Sequence, residues 1–107
     1  MRLSELNPEF VDAGGPGVLG ADGAVLPRRT GVMLAFDCPV CGPEKGAKHG
    51  GIMCYLSPAI DGTPYVGEGP KWTRTGDTFD TLTLSPSILN RTCGAHFYIR
   101  NGEIVQA

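Results

Sequence analysis

The sequence predicts a small, mainly β domain with long loops, and three observations carry that expectation. Its apolar segments are short and bounded by Gly or Pro, so none reaches the length of an ordinary amphipathic helix. The chain holds 16 Gly and 9 Pro in 107 residues, yet its hydrophobic fraction of 41% is that of a chain that folds around a core. Asn101 and Gly102 stand between two β-forming runs, the strongest short hairpin signal, because both turn positions favour positive φ. The length of 107 residues suits one domain with one modest core, so residues 1–107 are read as a single domain.

Residues 1–30 form a part rich in loops and hairpins. A short turn of helix is expected around Leu3 to Leu6, followed by the Gly-rich stretch GGPGVLGADG with a tight turn at Ala21, Asp22 and Gly23. The run GVMLAFDC, residues 31–38, is a compact apolar segment between Gly31 and Pro39 and reads as a buried strand. A loop containing His49 then returns the chain into GIMCYLS, a second strand that pairs with the first as a hairpin. Residues 58–71, PAIDGTPYVGEGPK, are too broken by Gly and Pro for regular structure and form a surface loop. In TFDTLTLS, Phe79, Leu82 and Leu84 alternate with polar residues and slip by one at Asp80 and Thr81, which predicts a strand with a bulge there. Pro86 is expected to end that strand and Ser87 to cap the turn after it. AHFYIR and EIVQ, around Asn101-Gly102, complete the chain as a hairpin.

The cysteines carry the chemistry. Cys38-Pro39-Val40-Cys41-Gly42 spells C-P-x-C-G, in which one tight turn presents two thiolates to a single ion and Gly42 supplies the unusual backbone angles. Cys93-Gly94-Ala95-His96 repeats the device as C-x-x-H. Two such knuckles make a tetrahedral set of Cys38, Cys41, Cys93 and His96, which suits Zn2+ and gives the domain a zinc-ribbon-like character. Cys54, between Met53 and Tyr55, reads as a packed core cysteine and as the first substitute ligand; His49 reads as a surface histidine outside the site.

Other candidate groups are weaker. Asp37, Asp80 and Glu103 are carboxylates that could act as a base, but none pairs by spacing with a partner. Ser85 and Ser87 lack the G-x-S-x-G frame, and with His96 given to the metal no second usable histidine is at hand for a serine nucleophile. Three thiolates in a full shell weaken a metal's power to acidify water, so the ion reads as structural. Trp72, in KWTRTGD, reads as a core-edge side chain, with partner anchoring as the alternative.

Charge and composition restrict the partners. A formal charge of −2 and nine thinly spread Lys and Arg leave no footprint for general nucleic-acid binding, and Arg28-Arg29 reads as a solvated pair. No apolar run approaches membrane-spanning length and the start, MRLSELNPEF, lacks the apolar stretch of a signal peptide, so a reducing cytoplasm is expected, where cysteines serve as metal ligands or buried thiols.

The opening MRLSELNP, the FDCPVC strand end, the Trp72 region, TFDTLTLSPSI and the terminal CGAHFYIRNGEI together resemble a family of small phage and prophage proteins, some encoded beside bacterial ubiquitin-like conjugation genes. Many relatives carry the label ammonia monooxygenase, which this chain does not support: it has no membrane span and no copper-type histidine cluster. The resemblance implies a metal-binding domain with ligands at Cys38, Cys41, Cys93 and His96, and a phage or prophage origin. Ala95 departs from it, standing where phage relatives often have Trp. The expected role is that of a zinc-stabilised accessory protein that binds a host or phage protein partner through the 58–76 loop and Trp72. The rival is a peptidase-like zinc hydrolase in which water replaces one ligand.

Overall fold

A computed structural model describes residues 1–42 and 51–107; the expected loop containing His49 falls outside the described residues. The chain is mainly β, as expected. A 3-10 turn at Leu3–Leu6 is followed by seven strands, β1 Glu9–Ala13, β2 Arg29–Asp37, β3 Gly51–Ser57, β4 Trp72–Thr75, β5 Thr83–Asn90, β6 Ala95–Arg100 and β7 Glu103–Gln106. They form one sheet in sequential order, antiparallel at every junction except β3 to β4. That junction is a parallel seam of two residue pairs, Leu56 with Trp72 and Ser57 with Thr73.

The seam joins two meanders, and the sheet curls so that their inner faces meet. Leu34, Phe36 and Leu56 from the first meander pack in one buried cluster with Leu84, Ile88, Phe97 and Ile99 from the second, closed by Leu3 and Leu6. The rings of Phe36 on β2 and Phe97 on β6, four strands apart in the sheet, meet edge to face at 6.1 Å. Each of these side chains is apolar and alternates with more exposed neighbours, the period-2 pattern of a sheet with one face in the core. Full burial of each large aliphatic contributes about 1.5–3 kcal/mol.

The predicted hairpins are present: β2 pairs with β3, and β6 with β7 around Asn101 and Gly102, whose φ values are 49° and 76°. Three elements differ from expectation. β1 is a strand within the part expected to be loop or hairpin, and β4 one where a polar stretch was expected, because each is short and exposes much of its surface, so neither shows a clear alternation of apolar residues. β5 continues through Pro86 because the proline falls where the β5–β6 ladder is interrupted, between Leu84 and Ile88, so its missing N–H breaks no ladder bond.

The two outer edges are covered or broken. Met1 to Leu3 lie beside β7: Arg2 bridges Glu103, Ile104 N–H donates to Met1 O at 2.9 Å and Leu3 N–H to Gly102 O at 2.8 Å. At the other edge the β1 register shifts between Val11 and Ala13, where Asp12 accepts Arg28 at 2.7 Å.

The 58–71 segment is pinned at its start. Asp61 accepts the Thr63 hydroxyl at 2.6 Å, the Thr63 N–H at 3.0 Å and the Thr30 N–H at 2.9 Å. Gly31 is required here: its φ is +64°, and a Cβ would sit 2.5 Å from Ile60 Cβ. Arg74 on β4 donates to the carbonyls of Pro58, Ala59 and Gly76, tying the segment to the seam. The Thr63 hydroxyl, the Thr63 and Thr30 N–H groups and Arg29 hold the Asp61 carboxyl down at about 2, from its ordinary 3.8. Because the folded value is depressed, the loop's stabilisation by Asp61 is complete above the ordinary value and is lost as pH falls through about 2. An NMR titration of the side-chain carboxyl carbons should show Asp61 still charged at pH values where an ordinary aspartate is protonated.

Candidate active site and thiol cluster

Two tight turns bring the cysteines together. After β2 the chain turns through Cys38 to Gly42, whose N–H donates to Cys38 O at 2.8 Å with φ at +71°. Between β5 and β6 it turns through Asn90 to Gly94, where the Gly94 N–H donates to Asn90 O at 2.7 Å with φ at +77°. The Sγ atoms of Cys38, Cys41 and Cys93 all lie within 4.8 Å of one another, and Cys38 and Cys93 are 3.6 Å apart. Sulfurs on a tetrahedral zinc ion at a bond length of about 2.3 Å would be about 3.8 Å apart, so the three thiols fit such an ion.

The electrostatics agree. Burial raises the Cys38 thiol, but the N–H groups of Cys41 and Val40, the Asn90 side chain and Cys93 together outweigh it and hold Cys38 below its ordinary value. Cys41 moves the other way, to about 11, pushed by the Cys93 thiol, by burial and by Cys38. Three thiolates in this space repel one another, and a cation removes that cost. Cys54 is fully buried in the core, outside the cluster, and burial alone pushes its thiol to about 12. Timed alkylation of the native, metal-stripped protein with iodoacetamide should therefore modify the exposed Cys93 and leave Cys54 unmodified until the chain unfolds, as read by peptide mass spectrometry.

Of the four expected ligands, the structure brings Cys38, Cys41 and Cys93 together and directs His96 to another partner. His96 Nε2 lies 2.7 Å from Ser87 Oγ. The sheet register explains the pairing. His96 on β6 faces Leu89 on β5, and Ser87, two residues from Leu89, shares its side of the strand, so Ser87 and His96 are diagonal neighbours on one face. The interruption of the ladder before Ile88 lets Ser87 lean towards the ring. Ser87 is half-buried and His96 exposed, so the pair opens to solvent. With Nε2 as the acceptor of the hydroxyl proton, the imidazole carries its own proton on Nδ1. The Ser87 carbonyl in turn accepts the Trp72 indole N–H at 3.2 Å.

The carboxylates noted in the sequence are engaged elsewhere: Asp37 accepts Asn7, while Asp80 and Glu103 pair with Arg2. Among the described residues, no carboxylate is hydrogen-bonded to the His96 ring. A groove of about 480 Å³ runs beside His96, lined by Met1, Pro39, Val40, Cys93, His96 and Ile104 among others; Ser87 is not part of its lining. It thus touches both the thiol cluster and the histidine and carries mostly apolar walls.

Sequence reasoning weighs Ser87 as a nucleophile and sets it aside for want of a G-x-S-x-G frame and a usable histidine. The available signal was that Ser87 and His96 lie nine residues apart on two strands joined by a short turn, a spacing compatible with diagonal neighbours once the register is known.

No curated protein and no solved structure was found to match the chain. Over residues 15–107 it matches the family model described as bacterial ubiquitination-like system serine protease (BubE), and it belongs to that family.

Proposed function

We propose that the chain is a serine protease in which Ser87 Oγ is the nucleophile and His96 the general base, with Cys38, Cys41 and Cys93 holding a structural zinc ion. The observation that carries this reading is the 2.7 Å hydrogen bond between Ser87 Oγ and His96 Nε2, the geometry by which an imidazole activates a hydroxyl. The family's description points the same way.

In this reading, Nε2 takes the hydroxyl proton as Oγ attacks the carbonyl carbon of the scissile bond. The resulting imidazolium gives that proton to the departing amine, leaving an acyl-Ser87. Water, deprotonated by the same imidazole, then releases the acid and restores Ser87. When bound, the ion crosslinks the turn after β2 to the β5–β6 turn, and its three thiolates make it a poor activator of water. Without His96 a fourth position on the ion would be open, as a zinc hydrolase needs, but the thiolate-rich set and the 2.7 Å Ser87–His96 contact favour the serine reading. We place the substrate among the proteins of a bacterial ubiquitination-like system, a reading that the family's description supports. Four free cysteines suit a reducing cytoplasm.

Treating the zinc-loaded protein with a fluorophosphonate should modify Ser87, identified by peptide mass spectrometry, and His96→Ala should suppress the reaction. Proteolysis in the absence of Ser87 modification would overturn the assignment.

A further inference from the structure

Ser87 sits in the interrupted stretch of the β5–β6 ladder. The ladder that fixes β5 against β6 is interrupted between Leu84 and Ile88, and Pro86 contributes no N–H. The backbone of the nucleophile therefore needs another restraint if Oγ is to stay within reach of His96. Trp72 supplies one. It begins β4, is held in register by Leu56 on one side while Thr73 pairs with Ser85 on the other, and lies half-buried against the core. From that position its indole N–H reaches across to the Ser87 carbonyl at 3.2 Å.

Resting on the serine-protease reading, we propose that Trp72 is a positioning residue: its indole N–H fixes the Ser87 peptide plane, and so the direction of Oγ towards His96. Fixing that carbonyl restricts rotation about the Ser87 backbone, which sets where Cβ and Oγ point. Since a misplacement of about 1 Å can cost about 100-fold in rate, a single hydrogen bond on this peptide controls turnover without touching substrate.

The test removes the N–H while keeping the ring. Trp72→Phe does so approximately. A closer replacement is benzothienylalanine, in which sulfur stands in for the indole nitrogen; because Trp72 is the chain's one tryptophan, replacing the amino acid in a tryptophan auxotroph alters this site alone. In both forms kcat on a peptide substrate should fall about 10- to 100-fold with KM nearly unchanged. The rate of Ser87 modification by diisopropyl fluorophosphate, a probe too small to need the substrate groove, should fall by the same factor.

Unchanged modification rates in the benzothienylalanine form would overturn the proposal even if Trp72→Phe lost activity or failed to fold, because only packing would then matter. A raised KM with an unchanged modification rate would also overturn it, making Trp72 a substrate platform. A wild-type protein whose Ser87 does not react at all would mark the failure of the protease reading itself, a result separable from the others.

Discussion

Ser87→Ala should lower kcat by about 10⁴- to 10⁶-fold, the range over which loss of a serine nucleophile is felt when the remaining site still binds substrate. His96→Ala should cost a similar factor, and the double variant little more than either, because nucleophile and base act as one unit. The fold should survive both changes. Ser87 contributes its carbonyl, not its hydroxyl, to the contact with Trp72, and His96 is exposed, so melting temperature should change little. His96→Ala also decides between two roles for this residue. A zinc content unchanged by the substitution, measured by elemental analysis alongside activity, fits a general base; loss of the ion would return His96 to the metal shell. Peptide cleavage surviving Ser87→Ala would sink the serine mechanism.

The second large effect is expected at the thiol cluster. Cys38→Ser should remove the ion and lower the melting temperature by roughly 10–20 °C, corresponding to a loss of about 3 kcal/mol in a domain of this size. Peptides that fold only on metal gain about 10 kcal/mol or more from zinc. The smaller figure applies here because the two meanders also share an apolar core built mostly of Leu, Ile and Phe side chains that are not ligands. Activity should fall as well: Cys93 lies in the turn joining the strands that carry Ser87 and His96, and its thiol is 3.6 Å from that of Cys38. Cys54→Ala should keep the ion. X-ray absorption of the wild type should show sulfur-dominated coordination that His96→Ala leaves unaltered. Calorimetry and zinc analysis on Cys38→Ser check the claim, and a variant that keeps both its ion and its melting temperature would refute it.

What the sequence disclosed depended on how local each signal was. The C-P-x-C-G turn and the Asn101-Gly102 hairpin are set by a few neighbouring residues, and both can be read directly. Cys93 could be grouped with Cys38 and Cys41 because its turn resembles theirs. The Ser87–His96 contact is different, since it depends on the register of β5 against β6 and on the break in that ladder, neither of which spacing alone defines. The C-x-x-H match also supplied His96 with a competing role, which removed the one histidine a serine nucleophile needed. The seam of β3 and β4 was hidden for a related reason: it is two pairs long and joins strands separated by an irregular segment, so no periodicity announces it.

The sheet edges bear on how the protein behaves at high concentration. An open sheet in sequential order leaves an outer strand at each end, and such strands can zip onto those of other molecules. At one end the first residues of the chain occupy the hydrogen-bonding groups of β7 around Glu103 and Ile104; at the other, the irregularity beside Asp12 interrupts the row of groups a neighbour would have to match. The strap at Met1 to Leu3 and the misaligned step beside Asp12 both hinder edge-to-edge pairing, so a variant lacking residues 1–3 should aggregate more readily.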